Sequence, residues 1–189
     1  MLKHLRPAFT LTLAFTLLLG LAYPLAMTGL GTLAFPNAAG GSLVKRSGHV
    51  IGSDLIGQSF TSDRYFWPRP SATTPDPYNA ASSTGSNLGP TSAKLRDTVV
   101  AQIERLKASG LTGPIPADAA TGSGSGLDPH ISPHFARAQV ARVAKARGLS
   151  EAELLALVAR LEESPLLGFI GEPRINVLRL NLELDTLKS

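Results

Sequence analysis

The sequence predicts a membrane protein of the α+β class, with a single N-terminal transmembrane helix followed by one small extracytoplasmic domain of about three helices against a small sheet. Three observations predict this class. A long segment without charge stands near the N-terminus, apolar residues recur at helical spacing between residues 92 and 165, and leucines alternate with polar residues near the C-terminus. The part that follows the uncharged segment has the length of one domain.

The N-terminal segment 7–44 contains no Asp, Glu, Lys, Arg or His. Its apolar centre, residues 7–30, would extend roughly 36 Å as a helix, enough to cross a bilayer core of about 30 Å. A cleaved secretory signal is the alternative, but its apolar core is normally only about 7 to 15 residues long. The sequence therefore predicts a transmembrane helix, with a kink or a helix end near residues 22–24, because Pro24 removes one backbone hydrogen bond.

The charges on either side of this helix predict its orientation. Lys3 and Arg6 precede it, and the next cations, Lys45 and Arg46, lie well beyond it. By the positive-inside rule the N-terminus stays in the cytoplasm and the rest is exported, as in a single-pass protein of the cell (inner) membrane. The predicted parts are a cytoplasmic N-terminus (1–6), the transmembrane helix (7–30), a spacer (31–44) and a soluble domain (45–189).

Composition limits the function classes. The chain has 18 Lys and Arg against 14 Asp and Glu, a net charge of only +4, and no cysteine. This charge is too dilute for a nucleic-acid surface, and the missing cysteines exclude a disulfide framework or a thiolate metal site. We therefore expect a lipid bilayer and other proteins as partners, and no nucleic acid.

The domain begins with short apolar groups at residues 50–51, 55–56 and 60, which are separated by Gly52 and Gly57. Such groups between glycines predict one or two short strands with tight turns.

An aromatic cluster, residues 65–67, follows these strands and precedes Arg69. Large aromatic side chains dominate core burial, which favours a corner of the core, but Trp and Arg also concentrate at interface hot spots. A partner-binding anchor around Trp67 and Arg69 is therefore the alternative. Residues 71–90 carry almost no large aliphatic side chains and predict a long loop, and loops of this length are either disordered or functional.

Three helices are predicted by their caps and apolar periodicity. Ser92 would cap the first, which ends at Gly110, and a loop at residues 112–129 precedes the second. The expected caps and closures of the other two are Ser132, Pro133 and Gly148 for the second helix, and Ser150, Glu153 and Pro165 for the third. The expected inward-facing residues are Leu95, Val99, Ile103 and Leu106, then Val140, Val143 and Ala144, then Leu154, Leu157, Val158 and Leu161.

The last element is predicted to be a half-buried strand. Leucines at positions 178, 180, 182 and 184 alternate with polar residues, which is the period of a strand. Ile175 and Val177 are out of phase with this alternation, so a bulge is expected near residues 177–178.

A glycine-rich run, residues 122–126, is the first candidate for chemistry. Closely spaced glycines let backbone N–H groups converge on a phosphate, but no Gly-Lys-Ser/Thr follows and no strand leads through the run directly into a helix. A flexible linker is the alternative. The run also fails as the Gly-x-Ser-x-Gly elbow of a serine hydrolase, because its middle residue is Gly124.

Asp128, His130 and His134 form the second candidate, in the order Asp-x-His-x-x-x-His. Two histidines four apart on a helix can share a metal, but Ser132 and Pro133 start the helix between them, so His130 lies outside it. The alternative is a loop packed by hydrogen bonds from Asp128 and His130. The sequence contains no recognisable catalytic constellation.

Several of these segments closely resemble the signatures of the KdpC family, the C subunit of the bacterial high-affinity potassium-transporting ATPase complex. The resemblance covers the whole chain, including the single N-terminal span. It is carried by Tyr-Phe-Trp-Pro-Arg-Pro-Ser-Ala (65–72), Gly-Ser-Asn-Leu-Gly-Pro (85–90), Ser-Gly-Ser-Gly-Leu-Asp-Pro-His-Ile-Ser-Pro (123–133), Gln-Val-Ala-Arg-Val-Ala (139–144), Arg-Gly-Leu (147–149) and Arg-Ile-Asn-Val-Leu (174–178).

The resemblance implies a non-catalytic subunit that is needed for assembly and stabilisation of a potassium uptake complex. In such complexes a channel-like A subunit selects potassium and a P-type ATPase B subunit hydrolyses ATP. The family is also described as a catalytic chaperone that raises the ATP affinity of the B subunit through a transient complex with ATP. ATP is thus the one ligand implied, with no tightly bound cofactor, but the predicted export of the loops conflicts with this role, since ATP lies in the cytoplasm.

Two main hypotheses follow. In the first, the domain packs over the outer mouth of the potassium pathway, and charge reversal at Arg69 should weaken co-purification with the A subunit. In the second, loop backbone contacts the phosphates of ATP. An exported domain that binds something unrelated is a third alternative. The candidate partner or nucleotide contacts are Trp67, Arg69, Ser86, Asn87, Gly89, Ser123, Gly124, Ser125, Gly126, Asp128 and His130.

Overall fold

The computed structural model describes residues 2–187 and divides them into an N-terminal apolar helix and a mixed domain. Two 3₁₀ turns, Leu2–His4 and Ala80–Ser82, accompany the longer elements. In chain order these are α1 (Leu5–Ala34), α2 (Pro36–Ala39), β1 (Leu43–Arg46), β2 (His49–Ser53), α3 (Ala93–Ala108), α4 (Ala117–Ala120), β3 (His130–Ile131), α5 (Pro133–Arg147), α6 (Glu151–Arg160), β4 (Ile175–Asn176) and α7 (Val177–Leu187).

Helix α1 has the length and composition to cross a membrane. It contains 30 residues, and none of its apolar window is buried against the rest of the chain. Of the two alternatives predicted at residues 22–24, a kink or a helix end, the helix end is wrong, because α1 continues through Pro24 to Ala34. A π turn, Leu18–Ala22, precedes the proline, and the Tyr23 amide donates to the Leu18 carbonyl five residues back. This turn lets the helix continue past Pro24, which has no N–H to donate to the preceding turn.

A β-hairpin links α1 to the domain. Strands β1 and β2 are antiparallel, with Leu43 opposite Ser53 and Arg46 opposite His49. Their turn residues Ser47 and Gly48 both have positive φ, as tight hairpin turns require. The predicted strand at residues 50–51 is confirmed within β2, whereas residues 55–56 and 60 lie outside the strands.

All three predicted helices are confirmed, with their caps. The hydroxyls of Ser92 and Ser132 accept the backbone N–H three residues on, and Ser150 forms a complete capping box with Glu153. Gly148 ends α5 with φ 66°, in the left-handed region that glycine adopts without steric cost. Helices α5 and α6 pack together and supply much of the core, including Phe135, Val143, Leu154 and Val158.

The predicted C-terminal strand is wrong, because residues 177–187 form helix α7. Its buried side chains recur at helical spacing and are Val177, Leu178, Leu180, Asn181 and Leu184. The predicted bulge at residues 177–178 is wrong for the same reason. The Asn176 side chain instead accepts the Arg179 N–H at 3.1 Å and caps the start of the helix.

The mixed helix and sheet class is confirmed, but its proportions differ from the prediction. Beyond α1, the described residues contain four helices of ten or more residues (α3, α5, α6 and α7) instead of three. The strands form two separate two-stranded sheets, β1–β2 and β3–β4, instead of one. The expected long loops at residues 71–90 and 112–129 are present, interrupted only by a 3₁₀ turn and by the short helix α4.

Candidate functional site

The aromatic segment is held between two helices by two side-chain amides. Asn181 of α7 accepts the Phe66 N–H at 2.9 Å and donates to the Phe66 carbonyl at 3.0 Å. Gln139 of α5 accepts the Trp67 N–H at 2.7 Å and donates to the Trp67 carbonyl at 3.1 Å. Each amide thus serves both backbone groups of one residue, as a neighbouring strand would.

The indole of Trp67 lies inside the domain, only 7% exposed, which confirms the interpretation as a corner of the core. Its N–H donates to the Ser62 carbonyl at 2.9 Å. The guanidinium of Arg142 lies 3.9 Å from the ring centroid and that of Arg105 lies 4.9 Å away, both in cation–π range.

Arg142 joins the aromatic segment to α5 through several hydrogen bonds. It donates to the Asp63 carbonyl at 2.9 Å, to the Tyr65 carbonyl at 3.1 Å and to the Gln139 side chain at 2.7 Å. Burial lowers the pKa of Arg142 to about 10, which still leaves the guanidinium charged at neutral pH. A buried cation bonded in this way fixes the position of the segment that contains Trp67.

Arg69 lies at the junction of the two long loops. Its guanidinium donates to the Asp128 carboxylate at 2.9 Å and reaches the Gly122 carbonyl at 3.4 Å. The Tyr78 hydroxyl donates to the Arg69 carbonyl, and burial raises the pKa of that hydroxyl. The segment after the aromatic cluster is therefore bonded to both loops.

Asp128 is the acceptor at the centre of this junction. It accepts the backbone N–H of His130 at 3.0 Å, and the His130 imidazole Nδ1 lies 3.5 Å from the same carboxylate. Burial alone would raise the pKa of Asp128, but the hydrogen bonds from His130 and the charge of Arg69 lower it below its ordinary value. The loop packed by hydrogen bonds from Asp128 and His130 is therefore confirmed.

The glycine-rich run lies beside the other predicted contact loop. The Ser125 carbonyl accepts the Thr84 N–H at 3.0 Å, and a β-carbon on Gly85 would lie 2.9 Å from the Gly124 carbonyl. The structure thus brings residues 83–85 against residues 124–126. Ser86, Asn87 and Gly89 lie just beyond this contact and are exposed.

Serines of the glycine-rich run already accept two backbone amides, one in the run and one directly after it. The Gly126 N–H donates to the Ser123 hydroxyl at 2.9 Å, and the Leu127 N–H donates to the Ser125 hydroxyl at 3.1 Å. A phosphate would have to rely on the remaining amides, or displace these serines. The run is therefore best described as a turn that its serine hydroxyls stabilise, and its contact with nucleotide stays a prediction.

Two surface clefts meet at Arg69. One, of about 260 Å³, is lined by Trp67, Tyr78 and Arg105, and the other, of about 400 Å³, by Asp128 and His130. His134 lies on the exposed surface of α5. Within residues 2–187, no group of three or more His, Asp or Glu side chains is arranged to hold a metal ion.

Three side chains that hold the aromatic segment in place were not predicted from the sequence: Gln139, Arg142 and Asn181. Gln139 and Arg142 lie three residues apart in the segment 139–144. Their i, i+3 spacing on a predicted helix indicates that the two side chains can contact each other. Asn181 has no such spacing, because it is one of the polar residues in an alternation that is typical of a strand.

Comparison with known proteins gives full-length matches. Residues 5–186 match the family described as KdpC, the c chain of the K⁺-transporting ATPase. A potassium-transporting ATPase KdpC subunit of Methylobacterium nodulans is 60% identical over 198 residues, covering 99% of this chain and 98% of that relative. KdpC subunits of Allorhizobium ampelinum and Sorangium cellulosum are each 57% identical and cover 98% of this chain and at least 97% of their own.

Proposed function

The chain belongs to the KdpC family of K⁺-transporting ATPase subunits, and we propose that it is the accessory, non-catalytic subunit of an ATP-driven potassium uptake complex. Its role is to assemble and stabilise the channel-like A subunit and the ATP-hydrolysing B subunit. The observation that carries this proposal is the match at 60% identity over almost the whole of both chains, to a protein named as a subunit of that ATPase.

The architecture supports a role in assembly. The apolar window of helix α1 is not buried against the rest of the chain, so its full surface is available to lipid or to neighbouring helices. The hairpin after it is bonded to the domain: the Asn176 side chain donates to the Asp54 carbonyl at 2.8 Å, and Arg46 pairs with Asp185 at 3.3 Å. A helix held in the membrane would therefore keep the domain close to the bilayer surface.

The domain is proposed to lie on the extracytoplasmic side, as the flanking charges indicate. The chain has no cysteine, so Ser164→Cys introduces a unique thiol at an exposed position of the domain. In intact spheroplasts a membrane-impermeant maleimide should label this thiol as fully as in lysed ones. Labelling that requires lysis would place the domain in the cytoplasm.

Affinity purification of the full chain from detergent-solubilised membranes tests the proposed function. The A and B subunits of the potassium-transporting ATPase should elute with it, and deletion of its gene should abolish potassium-stimulated ATPase activity in the purified remainder. A matched control replaces residues 5–34 with an unrelated apolar helix of equal length. This change keeps the membrane anchor but removes the side chains with which α1 would contact neighbouring helices. Elution of the intact chain alone would overturn the proposal.

The alternative is a chaperone role in which the glycine-rich run contacts ATP bound to the B subunit. Labelling with a photoreactive ATP analogue in sealed cells and in open vesicles separates the two roles. Labelling of residues 122–126 in open vesicles from the cytoplasmic side would support the chaperone role. Labelling only from outside, or none, would remove it.

A further inference from the structure

The turn between α6 and β4 exposes four large apolar side chains. Leu166 is 68% exposed, Leu167 75%, Phe169 76% and Ile170 50%. We call residues 165–171 the apolar tip; it contains no charged residue. Contiguous exposed apolar groups of this kind mark interaction sites, in contrast to single exposed leucines, which are common on protein surfaces.

The apolar tip is a closed turn with its backbone satisfied internally. The Leu166 N–H donates to the Ile170 carbonyl at 3.0 Å, and the Ile170 N–H donates back to the Leu166 carbonyl at 2.9 Å. At its base Glu163 and Arg174 exchange two backbone hydrogen bonds, and their side chains form an ion pair at 3.0 Å. The apolar side chains are thus presented on a fixed frame, which reduces the entropy lost on binding.

Leu167 adopts a backbone conformation that leucine disfavours. Its φ is 54°, in the left-handed region where the β-carbon crowds the following carbonyl, and Gly168 follows with φ 80°. Asparagine or glycine would adopt this conformation more readily. A strained leucine whose side chain lies in solvent contributes nothing visible to the stability of this chain, which indicates a contact outside it.

We propose that the apolar tip is a docking element that inserts into an apolar pocket on another subunit of the complex. This inference rests on the proposed function, since it requires such a subunit. The charges around the tip favour a protein over lipid, because both signs are present and paired. Glu163 pairs with Arg174 at 3.0 Å and Glu162 with Arg137 at 2.6 Å, so cations are not in excess. An element that binds an anionic bilayer surface carries an excess of Lys and Arg, whereas an apolar centre with a mixed-charge rim is the anatomy of a protein interface.

The base of the tip is connected to the segment that leads into the membrane helix. The base residue Glu163 lines the same cleft as Arg179. Arg179 pairs with Asp54 at 2.6 Å, and the Asp54 N–H bonds to the Ser42 carbonyl at 3.0 Å. A short series of contacts therefore connects the base of the tip to the segment that directly follows α1.

Leu167→Asn separates docking from folding. The change removes an exposed apolar side chain and relieves the backbone strain, so the unfolding midpoint of the full chain should stay equal or rise. Loss of one buried leucine from the interface should weaken association about tenfold or more, measured as recovery of the partner subunits from solubilised membranes across a dilution series. Unchanged recovery would overturn the proposal.

The matched control is Val100→Asn, on the exposed face of α3. Val100 is 46% exposed, and valine and asparagine have similar helix propensities. Recovery of the partner subunits should be unaffected. A loss equal to that of Leu167→Asn would show that any removal of surface apolar area has this effect, and would overturn the assignment of the tip.

A fluorescent probe distinguishes a protein partner from the bilayer. Ser164→Cys, labelled with an environment-sensitive dye, sits at the rim and leaves all four apolar side chains in place. Its emission should shift to the blue when the chain is reconstituted in phosphatidylethanolamine–phosphatidylglycerol vesicles with its partner subunits, and not in those vesicles alone. A shift in the vesicles alone would assign the tip to lipid and overturn the proposal. If the wild-type chain recovers its partners while the probe never shifts, the docking inference fails and the proposed function stands.

Discussion

Replacing Gln139 with leucine should lower the free energy of unfolding by about 3 kcal/mol. Gln139 is completely buried and serves both the N–H and the carbonyl of Trp67. Leucine has a similar volume, so little cavity forms, but two buried backbone groups lose their partners at about 1–3 kcal/mol each. The larger apolar surface of leucine offsets about 1 kcal/mol of that loss.

Urea unfolding of the full chain in detergent micelles measures this effect. Trp67 is the single tryptophan, and its indole is buried beneath Arg142, so its emission should move to the red when the domain unfolds. With a slope of about 2 kcal/mol per molar urea, a loss of about 3 kcal/mol moves the midpoint down by roughly 1.5 M. The slope itself should not change.

Gln102→Leu is the matched control, because Gln102 is only half-buried and makes a single 3.3 Å hydrogen bond to the Ala119 carbonyl. Its midpoint should fall by less than about 0.5 M. Asn181→Leu, which leaves the Phe66 backbone unpaired, should also lower the midpoint by more than Gln102→Leu, but by no more than Gln139→Leu, because Gln139 additionally accepts from Arg142. If Gln139→Leu unfolds within the range of Gln102→Leu, the amide pairs do not hold the aromatic segment, and the argument is refuted.

Three further predictions concern the fold and its electrostatics, and unfolding of the full chain with four single substitutions tests them. Leu184→Ala should cost about 2–5 kcal/mol and Leu182→Ala much less, because Leu184 is buried and Leu182 is half-exposed; equal costs would favour a strand over α7. Asp128→Asn should reduce the stability that the protein loses between pH 5 and pH 3. Hydrogen bonds from His130 are the main cause that lowers the pKa of Asp128 in the folded state. The ionised carboxylate therefore stabilises the fold above the unfolded pKa of about 3.9, and this stabilisation disappears as pH falls through the folded pKa. Gly148→Ala should cost about 1–2 kcal/mol, because its φ of 66° forces the alanine β-carbon against the following carbonyl; an unchanged midpoint would contradict this.

The helices could be predicted from sequence because their signals are local. Ser150 and Glu153 lie three residues apart, and Ser132 stands directly before Pro133 at the first helical position. Such patterns need no knowledge of what the helix packs against. The same holds for α1, whose length and lack of charge are sufficient, although the π turn before Pro24 could not be foreseen from composition.

Helix α7 was missed because a polar residue occupies its buried face. Val177, Leu180 and Leu184 follow a helical period, but Asn181 interrupts the apolar pattern, while leucine at 182 completes an apparent strand alternation. Asn181 is buried because its amide bonds to Phe66, 115 residues earlier in the chain. Only the tertiary structure supplies that partner, so the two-residue period of a strand could not be rejected from sequence alone.

Two of the segments that carry the family resemblance are joined by the ion pair of Arg69 and Asp128, which changes how a partner contact at Arg69 must be tested. Arg69→Glu breaks the ion pair with Asp128, so weaker co-purification with the A subunit would follow from a disturbed loop junction as well as from a lost contact. Asp128→Asn breaks the same pair and leaves Arg69 in place. If Arg69 contacts the A subunit, only Arg69→Glu should reduce recovery at matched unfolding midpoints; if its role is internal, both variants should reduce recovery in proportion to their loss of stability.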